Sequence, residues 1–93
     1  MADKDFVFEK VIHVLAEMSP EQSAKLKPSK ETPLLDGYHI DSLKVAELSL
    51  LLEEVFDMSL FLPELLSSVR DPHDLTVGAL ADFVKTKMAN QLI

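Results

Sequence analysis

The sequence predicts an all-α domain of four helices, three long and one short, with a long loop between the first two. Three observations carry this. Apolar residues recur at helical spacing in four stretches, no alternating strand pattern runs beyond a few residues, and proline or glycine punctuates the intervals. A chain of 93 residues holds one hydrophobic core and not two, so residues 1–93 are read as a single domain.

The first helix is expected over residues 5–18. Val7, Phe8, Val11, Val14, Leu15 and Met18 fall on one side of a helical wheel, with Glu9, Lys10, His13 and Glu17 on the other. Asp3 or Asp5 would sit near its positive N-terminal end. Ser19 and Pro20 end it, because the residue before a proline is pushed out of the helical region.

Residues 19–40 show no sustained period and contain Pro20, Pro28, Pro33 and Gly37. A loop this long is unusual where about 4–6 residues connect most elements, and such loops tend to be functional. Leu34, Leu35, Tyr38 and Ile40 suggest that its later half is pinned to the core, and a short helical turn around residues 20–25 is compatible with the sequence.

The second helix starts at Asp41 or Ser42 and runs to about Phe56. Val45, Leu48, Leu52, Val55 and Phe56 gather on a core face, while Leu43, Glu47, Leu50 and Glu54 gather opposite. A face that alternates leucine with glutamate suits recognition, although single exposed leucines are common on any surface. A short helix is expected over residues 62–69 with Pro63 in its first turn. The last runs from Leu75 or Thr76 to Ala89 or beyond, with Asp74 or Thr76 as its cap and Val77, Leu80, Ala81, Val84 and Met88 facing inward.

Composition narrows the function classes. With 47% hydrophobic and 27% charged residues, the chain fits a soluble globular protein. A net charge of −7 disfavours nucleic acid and anionic membranes and favours basic patches on other proteins. No apolar run approaches the roughly 18–20 residues of a membrane span, and no secretory signal is visible, so the cytoplasm is the expected compartment. There is no cysteine, so any sulfur chemistry needs a thiol from outside the chain.

His13, His39 and His73 lie in three separate elements with no metal-ligand spacing. A serine–histidine pair, Ser42 with His39, would still need an orienting acid and an oxyanion hole in reach, and a domain this small has no evident deep cleft to assemble them. The chain is therefore read as non-catalytic. That leaves Ser42. Serine and aspartate before a helix are ordinary caps, but Asp41 suffices for that duty and leaves the Ser42 hydroxyl free at a helix start, where a phosphate is well tolerated.

Asp41-Ser42-Leu43, followed by Glu47-Leu48 and by Glu53-Glu54-Val55-Phe56, resembles the prosthetic-group helix of acyl carrier proteins, whose pattern is roughly D-S-L-x-x-x-E-L-x-x-x-x-E-E-x-F. Length, acidity, the proline-containing loop, the helix order and Thr76-Val77-Gly78 at the start of the last helix agree with that family. The resemblance implies a four-helix bundle of acyl-carrier type. It implies 4′-phosphopantetheine attached to Ser42 by a magnesium-dependent phosphopantetheinyl transferase, with Asp41 and Leu43 as parts of the motif. It also implies a monomeric carrier that holds acyl groups as thioesters. Leu43, Glu47, Leu50, Glu53 and Glu54 would meet basic docking patches on acyl-transfer and synthase enzymes of fatty-acid, polyketide or specialised lipid synthesis. The competing class is a helical interaction adaptor with no prosthetic group. Two positions and one segment depart from the family: His39 replaces a usual glycine, Lys44 replaces an acidic residue, and the segment between Phe56 and Thr76 is longer and more apolar.

Overall fold

In the computed structural model, which describes residues 6–91, helix α1 (Phe6–Met18) buries Val7, Val11, Val14 and Leu15. Phe8 and Met18 pack partly against the same core, so the wheel predicted the inward face. The expected helix-start role of Asp3 or Asp5 lies outside the described residues.

The long loop expected after α1 is largely helical. Helix α2 (Pro20–Leu26) follows at once, with Pro20 in its first turn, and helix α3 (Leu34–Tyr38) forms the later part. Neither left a periodic signal in the sequence. Helix α2 buries no residue, and α3 is too short to repeat a face. The later half is nevertheless pinned as expected: Leu34, Tyr38 and Ile40 are buried, and the Tyr38 hydroxyl lies 2.9 Å from Ser23 Oγ on α2.

Helix α4 (Ser42–Phe56) buries Leu48 and Leu52, with Val45, Val55 and Phe56 packed against the core from its edge. Helix α5 (Leu62–Ser67) is shorter than expected, and a 3₁₀ turn, Pro72–Asp74, follows. Helix α6 (Val77–Gln91) then places Val77, Leu80, Ala81 and Val84 in the core, and Thr76 Oγ1 caps it by accepting from the Ala79 N–H at 3.1 Å. All-α architecture therefore holds among the described residues, with six α-helices where four were expected.

Helix α1 is the centre of the arrangement, touching α2, α4 and α6 around one hydrophobic cluster. The start of α6 is stitched to the segment before α3. Val77 N–H donates to the Thr32 carbonyl, Gly78 N–H to the Lys30 carbonyl, and Leu34 N–H to the Leu75 carbonyl, each at 2.9 Å. These bonds use three amides that helix starts leave without intrahelical partners, two at the start of α6 and one at the start of α3. Lys87 on α6 holds Glu64 on α5, Nζ to Oε2 at 2.9 Å. No helix among the described residues is long and apolar enough to cross a membrane.

Candidate functional site

The chain enters α4 through a tight reversal. Helix α3 ends at His39, whose φ of 53° lies in the left-handed region, and the Ile40 N–H then donates to the Leu35 carbonyl at 2.9 Å. Glycine takes this conformation without cost, whereas a residue with a Cβ is strained there. The turn is thus built with histidine at the position where the sequence departs from the carrier pattern. The His39 ring lies 3.4 Å from Gln22 Nε2, and Gln22 also donates to the Gly37 carbonyl at 2.8 Å.

Asp41 is the cap. Its backbone is extended, its Oδ1 accepts from the Lys44 N–H at 2.9 Å, and its carbonyl accepts the first helical bond, from Val45 N–H at 2.9 Å. Ser42 is consequently the first residue of α4. It is exposed, and its hydroxyl has no hydrogen-bond partner among the described residues. Cap duty and a free hydroxyl are therefore divided between neighbouring residues. Because that hydroxyl has no partner among the described residues, His39 does not engage it, and the Ser42–His39 pair does not form.

Along α4 the face opposite the core is open. Leu43 is 81% and Leu50 63% exposed, and Glu47 and Glu54 are exposed between and beyond them. Glu53 differs. It is half-buried, and its Oε2 accepts from the Leu60 N–H at 2.9 Å, so its carboxylate is committed to the segment after the helix. Ser49, which the sequence analysis did not single out, makes two bonds to the same segment. It donates to the Leu60 carbonyl and accepts from the Leu62 N–H, both at 3.1 Å. Its only signal in the sequence is one polar residue within an apolar run, and that run does not say what it would bond.

Between α4 and this segment lies an open groove of about 420 Å³, with Ser42 at one end and Val45, Leu50, Leu60, Phe61 and Pro63 among its walls. The groove is mostly apolar, and it adjoins the free hydroxyl. It suits an apolar chain more than a polar ligand. Among the described residues no group of histidine, cysteine, aspartate or glutamate could hold a metal ion. His73 is tied elsewhere, its Nδ1 2.7 Å from Asp36 Oδ1.

No protein-family model, curated protein or solved structure matches this chain.

Proposed function

We propose that this protein is an acyl carrier, bearing 4′-phosphopantetheine on Ser42 and delivering acyl groups to partner enzymes of fatty-acid, polyketide or specialised lipid synthesis. The observation that carries this reading is the Ser42 hydroxyl: exposed, unbonded among the described residues, and released from cap duty by Asp41. The residues present suit the group. Ser42 Oγ offers the attachment atom, and the unpaired amides and dipole of the first turn of α4 favour a phosphodiester there. When attached, the arm supplies the thiol for thioester linkage that a chain without cysteine lacks.

Each further role falls to a residue of the chain. Asp41 fixes the helix start and hence the direction in which Ser42 points. The groove beside Ser42 offers an apolar chain shelter from water. Leu43, Glu47, Leu50 and Glu54 present apolar contacts between negative charges, which attract and orient a basic patch. Glu53 contributes to that face chiefly by holding the fold, since its carboxylate is already bonded. The protein performs no catalysis in this scheme; it is the bound form in which a substrate travels.

A second reading, an interaction adaptor without a prosthetic group, draws on the exposure of Leu43 and Leu50. It requires tight stoichiometric binding and no modification at Ser42. Incubation with coenzyme A, magnesium and a broad-specificity phosphopantetheinyl transferase, followed by intact mass and peptide mapping, separates the two. The carrier reading expects one added arm on the peptide containing Ser42 and none on Ser42→Ala. No gain on folded protein with several transferases would overturn it.

A further inference from the structure

The segment after α4 turns back along it as a strap. Leu60 and Leu62 are buried, whereas Phe61 between them is 67% exposed. The strap's backbone is pinned on both sides of that ring. Ser49 bonds the Leu60 carbonyl and the Leu62 N–H, Glu53 takes the Leu60 N–H, and the Phe61 carbonyl accepts from the Glu64 N–H at 3.0 Å. Phe61 is thus a ring in water on a backbone that cannot withdraw it. Such a ring gains by meeting an apolar partner, and it has a fixed place from which to do so.

That place is the wall of the groove beside Ser42, with Leu50 also lining it. The polar atoms nearest the strap, on Ser49 and Glu53, are already bonded to its backbone, so the surface left for a ligand is largely hydrocarbon. We propose that Phe61 is the specificity-determining residue of this groove, closing over an unbranched aliphatic chain borne at Ser42 with Leu50 as a companion wall. This rests on Ser42 being the attachment point. Groove-lining residues run along α4 from Ser42 to Glu53, roughly 16 Å at the α-helical rise. Its volume lies at the low end of the about 300–1,000 Å³ usual for small-molecule sites. An extended chain fits that shape, and a chain ending in a carboxylate would meet the negative charge of Glu53.

The absence of cysteine makes a direct test available. Ser42→Cys supplies a single thiol, which N-ethylmaleimide or N-octylmaleimide labels without any transferase. With Phe61 present, the octyl label is expected to raise Tm over the ethyl label by about 5 °C. In Phe61→Ala less than half of that rise should remain, while the ethyl-labelled proteins keep similar Tm values because the ring is exposed. Phe61→Gln, similar in reach but polar, is expected to show the same loss and serves if Phe61→Ala does not fold. No rise with the octyl label, or a rise that survives by more than half in both variants, overturns the proposal. Failure of transferases to load the unmodified Ser42 would instead defeat the carrier reading, so the two failures are told apart.

Discussion

The amide of Gly78 donates to the Lys30 carbonyl across 2.9 Å, and a Cβ at position 78 would stand 2.8 Å from that same oxygen. Helix α6 can begin where it does only because position 78 carries no side chain. Gly78→Ala is expected to destabilise the protein by about 1–3 kcal/mol, the cost of overpacking against backbone, despite alanine's better helix propensity. Urea denaturation measures this. A stabilised Gly78→Ala would mean that the segment around Lys30 moves away at little cost.

Asp41 and Ser42 divide two duties that one residue often performs. Asp41→Ala removes the acceptor for the Lys44 N–H and should cost about 1 kcal/mol. Ser42→Ala removes a hydroxyl with no partner among the described residues and should change stability by less than about 0.5 kcal/mol. Thermal unfolding of the two variants side by side decides the assignment. An equal loss in both would make Ser42 a structural cap.

Two adjacent glutamates should behave oppositely. Glu53→Ala leaves the Leu60 N–H without its acceptor and should cost about 1–3 kcal/mol in chemical denaturation. Glu54→Lys on the open face should leave stability within about 0.5 kcal/mol. It should instead slow association with a basic partner enzyme, an effect that fades as salt is raised. Stopped-flow association at two ionic strengths checks the second half. Unchanged kinetics for Glu54→Lys would remove this face from the docking surface.

The His73–Asp36 pair joins the 3₁₀ turn to α3 and predicts a pH dependence. The hydrogen bond that His73 Nδ1–H donates to Asp36 Oδ1 raises the His73 pKa above its ordinary value, helped by the charges of Asp36, Asp71 and Asp74, although desolvation opposes this. A raised folded pKa means the imidazolium is favoured by folding. The stabilisation is therefore complete below the unfolded value of about 6.5 and is lost as pH rises through the folded value. The Tm gap between the protein and His73→Gln should be larger near about pH 5.5 than near about pH 8.5, and both charges are exposed, so added salt should shrink it. A gap that widened with pH would contradict the pairing.

What the sequence determined by itself is what local order encodes. The spacing of Val7, Val11, Val14 and Leu15, of Leu48 and Leu52, and of Val77, Leu80 and Val84 marked the buried faces, because a helix places such positions on one side whatever surrounds it. Asp41 as cap and the open Leu43–Leu50 face were legible for the same reason, each depending on neighbours within a few turns. The short helices α2 and α3 were not, since seven and five residues bury too little to show a period. Only the tertiary structure decided what Ser49 and Glu53 are for, and that a groove opens beside Ser42. It also decided that Gly78 must approach Lys30 and that His73 meets Asp36. Each of these joins a side chain or Cα to a partner on a separate segment. Periodicity says which face turns inward, and only chain packing says which distant atom that face will meet.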